Sequence, residues 1–401
     1  MINLELPKKL TDTQDMAYAV AKDMFRPIAR KYDTIEHTDG DIPELKVLGE
    51  MMESMGGGKK SSKSEKPADE VVNGEGMATV LGAQAMSYGC LGLMMSVPGF
   101  GLGNAAITAV ATKEQKEKLG KVYAAMAITE PGTGSDSAGV RTTAVLDGDE
   151  WVINGEKIFV TDGDRCSHVV VWATLDRSMG KAAIKSFVVP KGTPGMEVAR
   201  LEHKMGIRCS DTAAINFTDC RIPKDFILGS PDIAKTAEER KKAFGGVMQT
   251  FDSTRPLVAS FALGVAEAAL EIAKEILEKE GVKPSYDKTL YNSTSLEAEI
   301  YKMEADLESA RLLTLKACWM ADNGQTNSTE ASISKAKAGR MGNYVTLKCV
   351  EICSSLGYSE TSLLEKFARD SKIIDIYEGT QQIQQLIVAR NILGLSSGQL
   401  K

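Results

Sequence analysis

The sequence predicts an α+β protein in three parts: an N-terminal helical domain over residues 1–121, a central antiparallel β domain over 122–232, and a C-terminal four-helix bundle over 233–401. Three features point to it. Apolar residues recur at helical steps in both outer parts, β-rich runs crowd the middle, and the last third carries several long helical stretches. In the first part Met16, Val20, Met24 and Ile28 fall four residues apart, a stripe suited to one helix face. The lysine-rich stretch from Gly56 to about Glu70 has almost nothing to bury and reads as a solvated loop, with a contact for a ligand's phosphates as the lesser alternative. Helix resumes near Met77 and continues, with interruptions, to Lys121.

Residues Gly89 to Ala111 carry no charge, yet Pro98, several glycines and Asn104 interrupt them, so a buried helix–turn–helix fits better than a membrane span. In the middle part, Glu150 to Thr161 reads as two β runs about an Asn154-Gly155 turn, the signature of a hairpin. His168 to Thr174, Ile184 to Pro190 and Ala213 to Phe217 are further strands. In the last part, Val258, Phe261, Ala262, Val265, Ala269, Ile272 and Ile276 keep helical spacing. Leu296–Asn323 and Thr329–Leu356 give two more long helices, and a final one starts near Gly379.

Composition narrows the function. A net charge of −6 argues against a general nucleic-acid binder, which needs a basic face to displace counterions. The seven cysteines are odd in number and scattered, with no CxxC pair, which suits buried reduced thiols in a cytoplasmic protein. With only three histidines as well, neither a metal site nor a Cys–His nucleophile is expected. The N-terminus has no basic segment followed by an apolar one, so no signal peptide is expected.

Two short segments carry chemistry. Thr129-Glu-Pro-Gly-Thr-Gly-Ser-Asp136 makes a tight loop after the apolar run Ala124–Ile128, exposing backbone N–H groups and small hydroxyls that suit a cofactor edge or a phosphate. Alone it is also compatible with an ordinary turn. Tyr377-Glu-Gly-Thr380 sets a carboxylate just ahead of a helix, with Thr380 available as its cap. Alone, Glu378 is compatible with a surface acid.

Taken in order, the motifs resemble the acyl-CoA dehydrogenase family along nearly the whole chain. They are Thr129 to Asp136, Phe159-Val-Thr161-Asp-Gly163, Met205-Gly-Ile-Arg-Cys-Ser-Asp-Thr212, Asp252-Ser-Thr-Arg255 and Tyr377 to Gln384. The resemblance implies an FAD enzyme that converts an acyl-CoA thioester to the trans-2-enoyl-CoA. Glu378 would take the α-proton, the β-hydride passing to flavin N5, and an electron-transfer flavoprotein would accept the electrons. It assigns Thr129, Gly134 and Ser135, with the backbone of Met126, Ala127 and Ile128, to the flavin pyrimidine edge. Phe159, Val160 and Thr161 fall beside the central ring, and Thr380 and Gln382 contact the cofactor from the last helix. Ser135, Asp252 and Arg255 are expected near CoA, Tyr377 and Gly379 near the thioester, and Ser96 and Gly99 along the acyl tunnel. An acyl-CoA oxidase, which returns electrons to oxygen, remains the alternative reaction.

The sequence departs from the family where one subunit reaches a neighbour's FAD. An arginine expected there is Lys283, which keeps the charge but loses the two-pronged geometry. A glutamine expected near the diphosphate is Glu351, and two glycines are absent from Glu351-Ile-Cys-Ser-Ser-Leu-Gly357. Two assemblies stay open: a homotetramer, or an α2β2 heterotetramer with a related subunit.

Overall fold

Helices from both ends of the chain close on one core, and the sheet between them has a core of its own. The computed structural model describes residues 6–38, 42–54, 74–97, 102–233, 236–396 and 398–400. The Gly56–Glu70 loop and Gly99 lie outside these residues. The N-terminal helices are α1 (Lys8–Val20), α2 (Ala29–Ile35), α3 (Pro43–Ser54), α4 (Glu75–Met95), α5 (Gly103–Val110) and α6 (Lys113–Leu119). Between α1 and α2 the backbone forms a π turn, Ala21–Phe25, and a 3-10 turn, Arg26–Ile28. Those turns change the helical phase. Of the expected stripe, Val20, Met24 and Ile28 pack partly buried against the core, Met16 is 55% exposed, and Ala21, Phe25 and Ala29 lie deeper. Pro27, which lacks an N–H, sits at the change of phase.

The shared core joins Phe25, Leu91 and Leu93 to Leu263, Val265, Val345 and Phe367. Each large side chain buried there contributes about 1.5–3 kcal/mol relative to exposure. α4 and α7 (Ala237–Lys279) are long and apolar enough to cross a membrane by length and composition, but their apolar windows are 78% buried against other elements. α7 packs with α8 (Ser295–Asp322), α9 (Ser328–Ile352) and, through α9, α12 (Gln381–Leu393), the four-helix arrangement expected. The short α10 (Ser354–Tyr358) and α11 (Leu364–Ser371) cap its side.

The sheet holds seven strands: β1 (Ala124–Ala127), β2 (Thr143–Asp147), β3 (Glu150–Thr161), β4 (His168–Thr174), β5 (Ile184–Pro190), β6 (Met196–Leu201) and β7 (Thr212–Pro223). The order is β1-β4-β2-β3-β7-β6, with β5 also on β4. Most pairs are antiparallel, but β4 runs parallel to β1 and meets β2 in parallel at one residue pair. The expected hairpin at Asn154-Gly155 does not form. β3 continues through both residues, and the turn lies at Gly148-Asp149 between β2 and β3. Asn154-Gly155 is instead a bulge against β7, with Gly155 at φ +151°. A side chain at Gly155 would meet Thr142 Oγ1 at 2.4 Å, so the glycine serves close packing rather than a reversal. Nine residue pairs with β7 outweigh the local turn preference of the dipeptide.

Candidate active site

The segment after β1 is built around one carboxylate. Glu130 is 5% exposed and accepts the backbone N–H groups of Arg141 (2.7 Å) and Thr142 (2.9 Å). It also accepts Lys157 Nζ at 2.8 Å, and that ammonium, wholly buried, donates to Ile128 O at 3.0 Å as well. Burial works against the charge on Glu130, but Lys157 and the Thr142 bonds hold its pKa below the usual glutamate range. Burial pushes Lys157 down to about 8, so both remain charged at neutral pH. Glu130 and Thr133 exchange a pair of backbone hydrogen bonds, closing the turn that carries Gly134 and Ser135 into solvent.

Beside this loop β3 bulges again, between Lys157 and Val160. The bulge turns Phe159 outward at φ +57°, leaving a large aromatic ring 59% exposed, while Val160 is buried and Thr161 half-buried. β1 ends the sheet. Asn104 covers the strand's start by accepting Ala124 N at 3.0 Å, and the backbone from Met126 to Thr129 runs on past that cover. An exposed aromatic ring and small hydroxyls at Thr129, Ser135 and Thr161 thus lie on the segments around β1 and the second β3 bulge, joined where Thr129 O accepts Ile158 N at 2.9 Å.

The Tyr377–Thr380 turn is held from three helices. Glu378 (φ +53°) and Gly379 (φ +87°) are both left-handed, which strains Glu378 and is free only for the glycine. Thr380 caps α12 by accepting Ile383 N at 3.4 Å. Gln384, buried on α12, donates to Glu378 O (3.0 Å) and Gly379 O (3.2 Å). The Glu378 carboxylate is half-buried and accepts Thr254 Oγ1 from α7 at 3.0 Å. Burial raises its pKa, and Thr254, Arg255 and Lys335 pull in the opposite direction. Among the described residues, the Glu378 N–H donates to no protein acceptor.

Arg255 is 4% exposed, donating to Asp252 Oδ1 (2.7 Å) and Ser332 Oγ (3.4 Å). Pro256 follows it inside α7 and leaves the Asp252 carbonyl without a helical donor; Asn327 Nδ2 approaches that oxygen at 3.4 Å. Glu378, Tyr377 and Gly379 thus share a neighbourhood with Asp252 and Arg255. Gln382 is exposed on the first turn of α12. Ser96 is buried at the end of α4, its hydroxyl donating to Gly92 O and Cys209 O. Lys283 is apart from all of these, beyond the far end of α7, paired with Glu278 at 2.8 Å. Glu351 pairs with Lys348 at 2.6 Å. Thr254, Lys335 and Gln384 were not singled out from sequence. Thr254 and Gln384 lie inside motifs that were, whereas Lys335 carries no local signal.

The fold brings two of the three histidines together. His37 and His203 have ring centroids 4.8 Å apart, and His203 Nδ1 lies 3.0 Å from Glu36 Oε2. Sequence spacing could not show this metal-type grouping. The Glu36 carboxylate is already engaged by His203 and the Lys204 N–H. All seven cysteines are buried and unpaired. A cleft between α6 and the sheet, lined by Gln115, His168, Val188 and Phe226, contains none of the expected site residues.

Known proteins give the class. The acyl-CoA dehydrogenase middle-domain model matches residues 125–220, and the C-terminal-domain model matches residues 244–393. The chain belongs to the acyl-CoA dehydrogenase family of oxidoreductases. It is 37% identical over 335 residues to the mitochondrial short-chain specific acyl-CoA dehydrogenase of Bos taurus, covering 81% of this chain and 78% of that one. The human counterpart is 36% identical over 325 residues, covering 79% and 76%. Among solved structures, butyryl-CoA dehydrogenase from Megasphaera elsdenii superposes with a TM-score of 0.84 at 28% identity, covering 98% of this chain and all of that one.

Proposed function

We propose that this chain dehydrogenates a short acyl-CoA thioester to the trans-2-enoyl-CoA, with Glu378 as the base that takes the α-proton. The observation that carries this reading is the Glu378 turn: a half-buried carboxylate with a raised pKa, next to its own unpaired N–H. An α-proton of a thioester is too weakly acidic for an ordinary carboxylate. Burial raises the basicity of Glu378, and an N–H donor at the thioester carbonyl stabilises the negative charge that develops there. The short acyl group follows the names of the bovine, human and Megasphaera proteins.

The residues beside the Glu130 loop fit FAD. Phe159 offers an aromatic face, and Thr129, Ser135, Thr161 and the outer edge of β1 offer polar groups to a flat heterocycle's rim. When bound, FAD supplies the acceptor for the hydride that leaves the β-carbon.

The test is anaerobic addition of acyl-CoAs of graded length to the yellow holoprotein. Bleaching is expected, fastest with short chains. Repeating it in air separates a dehydrogenase, which an electron-transfer flavoprotein reoxidises, from an oxidase. Glu378→Gln should retain flavin and bind CoA yet lose bleaching by about 10³-fold or more. Unchanged bleaching would move the base elsewhere.

The assembly reading rests on Lys283 and Glu351. Lys283 pairs with Glu278 and Glu351 with Lys348 in their own chain, and at a neighbour's diphosphate Glu351 would add like charge. That favours an α2β2 heterotetramer in which a related subunit supplies those contacts. A soluble homotetramer with one tightly bound FAD per chain would overturn it.

A further inference from the structure

Lys335 is a wholly buried lysine on α9, and among the described residues no carboxylate oxygen lies within 4.0 Å of its Nζ. A buried ammonium without a contact counterion is costly, so its surroundings must reward it. Its hydrogen bond is to Gly379 O, at 2.6 Å. That carbonyl belongs to the residue after the base, in the left-handed turn, and is also gripped by Gln384.

We infer that Lys335 is a positioning residue for Glu378: it pins the Gly379 carbonyl, so fixing the strained turn that aims the carboxylate and its N–H, and it places a positive charge behind the base. This deepens the proposed function and rests on it. The charged groups around the base come from every element packed on it. Arg255, with its partner Asp252, approaches from α7, and Lys335 from α9. Asp375 comes from the 3-10 turn Lys372–Asp375, and Tyr377 from the turn itself. Asp252 is compensated by Arg255 at 2.7 Å, and Asp375 shares Lys372 at 3.8 Å. Lys335 is thus the cation linked directly to the base's own turn. Loss of its charge leaves burial less opposed, so the pKa of Glu378 rises. Loss of its hydrogen bond frees the Glu378–Gly379 peptides to rotate, moving the carboxylate and the carbonyl donor together. Both effects fall on the base and its carbonyl donor, which act most strongly as charge develops on the thioester, so turnover should suffer more than KM.

The experiment compares wild type, Lys335→Met and Lys335→Arg holoprotein by steady-state turnover and by the pH profile of kcat. Lys335→Met is expected to lower kcat about tenfold or more and move the acid limb upward by about one pH unit, with KM within about twofold. Lys335→Arg keeps the charge but not the reach to one carbonyl. It should leave the limb in place and still lower kcat several-fold. A Lys335→Met protein of full FAD content with unmoved limb and kcat overturns the inference. If that variant does not fold, wild-type kcat in Lys335→Arg overturns it. Failure of this idea is separable from failure of the base assignment, which is read only from whether Glu378→Gln still bleaches.

Discussion

The two halves of the candidate site are held in opposite ways. The Glu130 loop is anchored within its own sheet unit, by a carboxylate in the loop and a lysine on β3, the strand beside it. The Tyr377–Thr380 turn is anchored from outside, by Thr254 on α7, Lys335 on α9 and Gln384 on α12. A flat cofactor edge needs a rigid rim, which local bonds supply. A base must be set to a narrow position and basicity, and these helices supply charge, hydrogen bonds and desolvation separately.

Breaking the local anchor should have the largest effect on stability. Lys157→Met leaves Glu130 charged and buried, and should cost about 3–5 kcal/mol in denaturant unfolding. Lys157→Met with Glu130→Gln should cost clearly less than the two changes added, because the pair acts as a unit. Strict additivity would mean that the loop does not depend on the pair.

The helical anchor should break functionally rather than globally. Thr254→Val removes one bond to the ionised carboxylate, worth about 1.5 kcal/mol, and should slow turnover by about tenfold at low pH. That bond lowers the pKa of Glu378, so its loss should move the acid limb of kcat upward. An unmoved limb would remove Thr254 from the base's environment.

A smaller effect sharpens the contrast through stability. Burial holds the pKa of Glu378 above its ordinary 4.5, so the unfolded chain ionises first as pH rises. Stability from this group is present at low pH and lost as pH climbs through the folded pKa. Glu378→Gln should therefore be more stable than wild type near pH 8, with the gap closing towards pH 5. A gap independent of pH would show a carboxyl with an ordinary environment. Smallest of all, Lys283→Ala should change neither stability nor FAD content, since among the described residues Lys283 pairs with Glu278 in an exposed pair. A drop in FAD would put Lys283 at a cofactor after all.

The same contrast explains what the sequence disclosed. The Glu130 loop and the base turn were legible because their residues are contiguous. Lys335 was not, since a lysine inside an amphipathic helix reads as solvent-facing until the fold buries it. His37 and His203 meet only because α2 and the segment after β6 are folded together. Asn154-Gly155 misled because turn propensity is local, whereas the register of β3 is set by β7 sixty residues on. Val20, Met24 and Ile28 do reach the core, but the deeper Ala21, Phe25 and Ala29 were not expected, because a π turn alters the helical phase and periodicity assumes an unbroken helix.

The large shared helical core imposes an order on synthesis. Leu91 and Leu93, and Phe25 still earlier, leave the ribosome at least 165 residues (258 − 93) before Val258 and later partners, a wait on the order of ten seconds or more. The sheet unit, whose apolar interior is drawn from residues 125–227, is complete in the meantime. The first helices must then stay unaggregated, tethered to a finished sheet, until the tail of the chain arrives to cover them.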